Sequence, residues 1–493
     1  MSEHAKAVPA DAPDTVPLCV DLDGTLVHGD LLHEAAIAAL KTSPAKLIGM
    51  MAALRGGRAA LKAYLVEHAA FDPALLPYRA DLIDYIREQR ATGRPVHLVT
   101  ASPRAWAEAV ADHLGLFDAV QASETTNLKG PAKADMLRTM HAGGYDYVGD
   151  SRADMPVWRG ARSVLRAGRG TRLTLEAPLV SSRDFPEPTR PLAAIIRAMR
   201  PHQWLKNMLV FVPLVTSHEW MNPALLITAI VAMLSFSFAA SATYLLNDML
   251  DIPADRAHKR KRKRPFASGA TSIPTGLAVM GLLLLLAVGM AAALGVGFLI
   301  VLVGYMVVTT AYSIRLKRAM LVDVFTLAGL YSVRVVGGGV ATHVPLSLWL
   351  LAFSMFLFLA LAIVKRCAEL VDRPDTGTAR VAGRGYYGDD LSVLQSLGSA
   401  SSFSAVMVFS LYVTQPEVTK LYVNPALLWL IAPLLLYWLS RMMLLAQRGK
   451  MHDDPLVFAV KDRKSLWIIA LCGVIMIAAV KLQTSIGIVV PIR

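Results

Sequence analysis

The chain has 493 residues, 55% of them hydrophobic, with a mean hydropathy of +0.46 and a formal net charge of +13. That length suggests about two to four domains, and the hydropathy excludes an ordinary soluble protein for much of the chain. Basic residues cluster between apolar runs, which favours an anionic membrane face or polyphosphate ligands and disfavours nucleic acid. Cys19, Cys367 and Cys472 lie too far apart for a zinc or redox motif, or for a disulfide framework.

Residues 1–17 contain no apolar core, so they are expected to be a flexible terminus and not a secretory signal. Residues 18–180 read as a soluble α/β domain on the cytosolic side. A short apolar strand over 18–22 precedes a Gly turn, and helical text runs to about residue 90. Further strands are expected over 95–100 and 145–150. Strands alternating with helices imply a parallel sheet with ligands at the strand carboxyl ends. Residues 181–195, rich in Ser, Pro and charge, read as a linker.

Residues 196–490 read as an all-α polytopic bundle. Apolar runs of membrane-spanning length fall near 204–219 (the weakest), 222–246, 273–294, 296–314, 319–340, 346–364, 393–414, 425–440 and 465–483. That makes nine expected helices. The loops at 256–264, 315–318, 365–390 and 441–464 hold 21 Lys and Arg, whereas the opposite set holds only Lys420. The positive-inside rule makes the first set cytoplasmic, places the soluble domain on that side of the plasma membrane, and puts the C-terminus outside.

The soluble half carries Asp21-Leu-Asp23-Gly24-Thr directly after its first strand. Two carboxylates two residues apart can divide labour: one attacks phosphorus, the other protonates the leaving oxygen and then activates water. Gly24 permits the sharp turn. Thr100 ends the next strand, where its hydroxyl can hold a phosphate oxygen. Lys133 can neutralise a phosphoaspartate, with Lys129 as the competing candidate. Asp150 and Asp154 suit hard Mg²⁺ coordination.

This set resembles the haloacid dehalogenase (HAD) phosphatase superfamily over about residues 18–170. The resemblance implies a Rossmann-like sheet, Asp21 as nucleophile, Asp23 as acid/base, Thr100 and Lys133 as phosphate binders, and Mg²⁺ held by Asp21, Asp23, Asp150 and Asp154. The roughly 75 residues between Asp23 and Thr100 would form a helical cap that selects substrate.

In the membrane half, Asn247-Asp248-Met-Leu-Asp251-Ile-Pro-Ala-Asp255 closes an apolar span. On an unbroken helix these four polar residues share an arc of about 100°, so one face presents three carboxylates for which a divalent cation is the natural compensation. A basic loop ending at Arg264 follows. Arg334 lies within a span and is expected to pair with an acid, with Asp323 as the candidate. The Gly337-Gly-Gly339 run is expected to allow close helix packing.

The NDxxDxxxD pattern resembles the UbiA superfamily of intramembrane prenyltransferases over about residues 195–490. Its usual second Asp pair is missing. In its place, Arg200-Pro-His-Gln-Trp-Leu-Lys206-Asn207, Tyr312-Ser-Ile-Arg-Leu-Lys317, Asp323-Val, Lys365-Arg366-x-x-Glu369 and Asp453-Asp454-Pro with Asp462-Arg463 look like the decaprenyl-phosphate phosphoribosyltransferase branch. That branch transfers 5-phosphoribose from phosphoribosyl pyrophosphate to polyprenyl phosphate. The resemblance implies Mg²⁺–pyrophosphate at Asn247, Asp248, Asp251 and Asp255, with Asp248 and Asp251 catalytic and Asp323 a further metal ligand. Lys206, Asn207, Arg264, Tyr312, Lys317, Lys365, Arg366 and Glu369 would bind substrate.

The transfer product would still carry a phosphomonoester. Its removal by the HAD domain would give polyprenyl-phosphoryl ribose, a precursor of the arabinosyl donor for cell-envelope glycans. The alternatives are a polyprenyl transfer to an aromatic or quinone acceptor, a phosphatase acting on an unrelated small ester, and a channel or transporter with a regulatory domain. A homo-oligomer is left open.

Overall fold

The computed structural model describes residues 16–124, 128–187, 191–372, 385–451 and 454–482. Asp453 and most of the expected flexible terminus, residues 1–15, lie outside them. The chain divides into two compact units, one of Met1–Met199 with Leu245–Val279 and one of Arg200–Tyr244 with Met280–Arg493.

The first unit is built on six parallel strands: β1 (Leu18–Val20), β2 (Val96–Pro103), β3 (Ala119–Ser123), β4 (Asp146–Gly149), β5 (Ser163–Gly168) and β6 (Ser181–Pro186). Their spatial order is β3-β2-β1-β4-β5-β6. Leu18 pairs with Val96 on one side and with Asp146 on the other. β1 is therefore central, and Leu18, Cys19 and Val20 are all fully buried, as expected for a sheet covered on both faces. The Asp-rich turn thus leaves the carboxyl end of the central strand, where a parallel sheet gathers its ligands.

Two expectations change here. Three strands are legible in the sequence, whereas β3, β5 and β6 are additional. Residues 181–186, expected to open a linker, form the edge strand β6. The apolar side chain of Phe185 is buried there, and the Arg183 guanidinium lies 4.4 Å from the Tyr85 ring. The polar Ser/Arg/Asp composition hides a strand that pairs with β5, with Arg166 bonded to Asp184 and Phe185 buried.

Between Asp23 and β2 the chain forms α1 (Leu31–Thr42), α2 (Lys46–Arg55), α3 (Gly57–His68) and α4 (Ala80–Ala91). The Asp30 side chain accepts from the Leu32 and His33 amides and so fixes the start of α1. Leu31, Ala35 and Ala39 of α1 and Leu65 of α3 join one apolar core with Leu18 and Val20. The helical insertion thus shares its apolar core with the central strand.

From residue 223 onward, eight helices among the described residues are long and apolar enough to cross a membrane. They are Pro223–Leu250, Ile273–Leu294, Val296–Ile314, Val322–Thr342, Leu348–Val371, Gly388–Tyr412, Pro425–Gln447 and Arg463–Lys481. The ninth expected span, near 204–219, takes another form. It is a 3-10 segment, Pro201–Phe211, followed by a short α-helix, Val212–Thr216. At about 2.0 Å per residue for the first and 1.5 Å for the second, the two reach about 30 Å. The 3-10 geometry stretches few residues over the length of a full span, which is why its apolar run is weak. A Cβ on Gly338 would lie 2.1 Å from the Val210 carbonyl oxygen, so the glycine run admits this segment at backbone contact.

Candidate active sites

At the carboxyl end of β1, Gly24 adopts φ +74, and a Cβ there would sit 2.2 Å from an Asp150 carboxylate oxygen. Glycine is therefore required twice: for the turn and for the approach of Asp150. Oxygens of Asp21, Asp150 and Asp154 all lie within 4.8 Å of one another. Lys133, at the start of the Pro131–Met140 helix, donates to Asp21 Oδ1 at 2.8 Å, to the Tyr147 hydroxyl at 2.9 Å and to the Val99 carbonyl at 3.2 Å. Lys129 only lines the surrounding cavity. Asp154 is oriented by the Tyr147 hydroxyl and by the Asp150 and Ser151 amides.

Burial, reinforced by Asp21, Asp154 and Asp23, pushes the Asp150 carboxyl up to about 8. Burial likewise raises Asp21 to about 6, although Lys133 opposes the shift. Burial and neighbouring Asp30 raise Asp23 to about 7. Lys133 is the cation bonded to Asp21, and the hard oxygen donors of Asp21, Asp150 and Asp154 fit Mg²⁺.

Asp23 stands apart from that cluster. Its Oδ1 accepts from the Leu31 amide at 2.8 Å and its Oδ2 from the Ser102 hydroxyl at 2.5 Å. The three acids that group closely enough to share an ion are Asp21, Asp150 and Asp154, and Asp23, also expected at the metal, is held by Leu31 and Ser102 instead. Thr100 also departs from expectation. It is fully buried, its Oγ1 accepts from the Ser102 amide at 3.0 Å, and it does not line the cavity. Ser102 does, two residues on, where strand alternation brings the same face back. That period-2 pattern makes the two hydroxyls equivalent in the sequence, and only the fold separates them.

The NDxxDxxxD segment is not one helix. The first helix ends at Leu250, and a second, Ile252–Arg256, begins after Asp251. Pro253 lacks the amide that would continue the ladder. Asn247 and Asp248 stay on the long helix, and Asp251 leaves the face that Asp248 and Asp255 share. Arg264 bridges Asp248 at 3.2 Å and Asp255 at 2.7 Å. Asp251 turns instead to Lys41 on α1, at 2.8 Å.

In the second unit, buried Asp454 receives Lys206 at 2.8 Å, Lys365 at 3.0 Å and the Tyr331 hydroxyl at 2.8 Å. Burial alone would raise its pKa, but Lys365 and Lys206 outweigh it and hold the carboxyl well below the usual range. Sequence reasoning misses Tyr331, since a tyrosine in an apolar span carries no motif. Asn207 donates to Ser237 at 2.9 Å and accepts from Arg334 at 2.7 Å, and Arg334 also meets the Tyr305 hydroxyl at 3.0 Å.

Arg334 therefore does not pair with Asp323. Fully buried Asp323 faces Arg366 at 2.7 Å and accepts from the Tyr386 hydroxyl. Arg366 also pairs with Glu369 and lies 3.4 Å from the Tyr312 hydroxyl. Asp323, expected to ligate a metal, is thus paired with Arg366 and Tyr386 in this structure. Lys317 sits in the 3-10 turn Leu316–Arg318 that precedes the helix carrying Asp323.

The UbiA prenyltransferase family model matches residues 208–469, just over half of the chain. This chain belongs to the UbiA prenyltransferase family. The haloacid dehalogenase-like hydrolase model matches residues 18–159, so this UbiA protein also carries a HAD-like domain. It is 37% identical over 462 residues to "Uncharacterized protein y4nM" of Sinorhizobium fredii, covering 92% of this chain and 89% of that one. It is 34% identical over 282 residues to "Nodulation protein NoeC" of Azorhizobium caulinodans, covering 56% of this chain and 90% of that one. Decaprenyl-phosphate phosphoribosyltransferase of Mycobacterium tuberculosis is 36% identical over 200 residues, 39% of this chain and 65% of that one. Among solved structures, a UbiA homolog from Archaeoglobus fulgidus bound to GPP and Mg²⁺ aligns at TM-score 0.45 and 17% identity, over 59% of this chain and 100% of that one.

Proposed function

We propose that this UbiA-family protein transfers 5-phosphoribose from phosphoribosyl pyrophosphate to a polyprenyl phosphate, and that its HAD-like domain then removes the 5-phosphate. The observation that carries the first step is the set around Asp454. Two lysines and a tyrosine converge on one buried acid. A surplus of buried positive charge suits a reaction whose donor, acceptor and leaving group are all anionic. The 36% identity to the phosphoribosyltransferases supports the same reading.

In the transfer, an acceptor phosphate oxygen bonds to the ribose anomeric carbon as the bond to pyrophosphate breaks. Lys206 and Lys365 neutralise phosphate oxygens. Asp248 and Asp255, which share Arg264, and Asp251, which pairs with Lys41, are the residues that would hold Mg²⁺ beside the pyrophosphate. Mg²⁺, when bound, supplies charge neutralisation of that leaving group.

In the second step, Asp21 attacks phosphorus while Asp23, whose carboxyl burial raises to about 7, gives its proton to the leaving ribose oxygen. Asp23 then takes a proton from water, which attacks the phosphoaspartate and releases phosphate. Lys133 holds Asp21 in place and balances the charge that gathers there.

The N-terminal domain and the basic loop 256–264 lie in one unit, which supports placing both on the cytoplasmic face. One crossing by the Pro223–Leu250 helix then requires another between residues 200 and 222, the role we give the 3-10 segment. Nine crossings put the C-terminus outside.

The test is to supply purified protein with Mg²⁺, polyprenyl phosphate and radiolabelled phosphoribosyl pyrophosphate, beside Asp21→Asn. The expected result is a ribosyl lipid from the wild type and its 5-phosphate from the variant. Absence of label in lipid from both proteins overturns the phosphoribosyl assignment.

A further inference from the structure

The cavity at Asp21 encloses about 420 Å³, and one side of it does not come from the HAD-like sequence at all. Ile252, Phe266 and residues 269–275 line it, from the segment that joins two membrane spans. Arg58 and Lys62 of α3 line the same cavity, as does Arg169. That volume is of small-ligand size.

Three contacts hold the segment in place. Arg256 forms a two-pronged pair with Glu34 of α1, at 2.7 and 2.8 Å, with both side chains largely buried. Lys41 of the same helix meets Asp251 at 2.8 Å. Gly269, at φ +74, lies so close to His28 that an added Cβ would stand 2.4 Å from the His28 Cβ. Paired planar guanidinium and carboxylate groups fix orientation as well as distance. The segment is thereby a built wall of the phosphatase cavity.

We infer that residues 266–275 are a specificity-determining wall, which fits the phosphatase to a phosphomonoester carried on a membrane-anchored molecule. This rests on the phosphatase reading above and deepens it. The wall continues at both ends into membrane spans, which suits a headgroup carried on a lipid. Its Thr271, Ser272 and Thr275 hydroxyls suit a sugar, while Arg58, Lys62 and Arg169 suit its phosphate.

The experiment uses the full chain in nanodiscs and compares kcat/KM for polyprenyl-phosphoryl ribose 5-phosphate with that for p-nitrophenyl phosphate. Gly269→Val pushes the wall off His28, and Arg256→Ala cuts its tie to Glu34. Both are expected to lower the lipid-to-soluble ratio about ten-fold, the scale of a lost wall contact. An unchanged ratio in both variants overturns the inference and leaves the phosphatase reading standing. A wild type that hydrolyses neither compound overturns both.

Discussion

Asp454→Ala removes the one carboxylate shared by Lys206, Lys365 and the Tyr331 hydroxyl. The Asp454 and Lys206 side chains are only 4% and 10% exposed, so Lys206 cannot recover hydration where it stands. Stranding a buried charge costs about 3–5 kcal/mol. Lys206→Met is the control. It leaves Asp454 paired with Lys365 and Tyr331, and replaces an ammonium by an apolar chain of similar length. Its cost should be smaller, about 1–3 kcal/mol. Thermal unfolding of the full chain in one detergent should therefore rank wild type above Lys206→Met, and Lys206→Met above Asp454→Ala. Both variants should lose transferase activity. A Lys206→Met variant less stable than Asp454→Ala would refute the account, because the acid would then not be the hub of the cluster.

Three further outcomes are expected. Gly24→Ala places a side chain in the left-handed region, at about 1–2 kcal/mol, and drives Asp150 from the acid cluster; phosphatase turnover should fall about 100-fold, measured beside the melting temperature. Lys133→Met should lower phosphatase kcat by about 100-fold or more, while Lys129→Met should leave most of it, as read by phosphate release. Acidification should loosen the sheet. Burial would raise the Asp146 pKa, but hydrogen bonds from Arg162 and Arg94 outweigh it and lower it. A depressed folded pKa gives stability that is present above the unfolded value of about 3.9 and lost as pH falls through the folded one. Hydrogen exchange in β4 should therefore accelerate below about pH 4, and Arg94→Ala, which narrows the gap between the two pKa values, should weaken that pH dependence.

The features legible in the sequence share a cause: each is local. Asp21-x-Asp23-Gly24 follows one apolar strand, and eight spans announce themselves by length and hydropathy alone. What escapes depends on partners far along the chain. β6 is held by its pairing with β5, by the Arg166–Asp184 pair and by buried Phe185 beside Tyr85, all contacts far along the chain. Pro253 splits the acidic motif, and the three acids then find Arg264 and Lys41, neither of which helical periodicity could name. Asp323 resembles a metal ligand by motif position, yet Arg366 and Tyr386 enclose it. Thr100 and Ser102 differ only in which one the end of β2 delivers to Asp23.

The segment 245–279 joins the two chemistries more tightly than fusion alone requires. It begins with the acids assigned to pyrophosphate and ends in the wall of the phosphatase cavity. Asp251 is paired with Lys41, and five residues later Arg256 is paired with Glu34 on the same helix α1. Binding that draws Asp251 away from Lys41 must therefore loosen one of the two ties between α1 and the segment, and by linkage any ligand that tightens the other acts back on it. The phosphatase cavity and the acidic motif are consequently not independent sites, and a ligand in one should change the affinity of the other. Titrating phosphoribosyl pyrophosphate binding to the full chain with and without a phosphate analogue in the HAD-like site measures that coupling directly. Lys41→Met should abolish it, and equal affinities in the wild type under both conditions would show that α1 carries no signal.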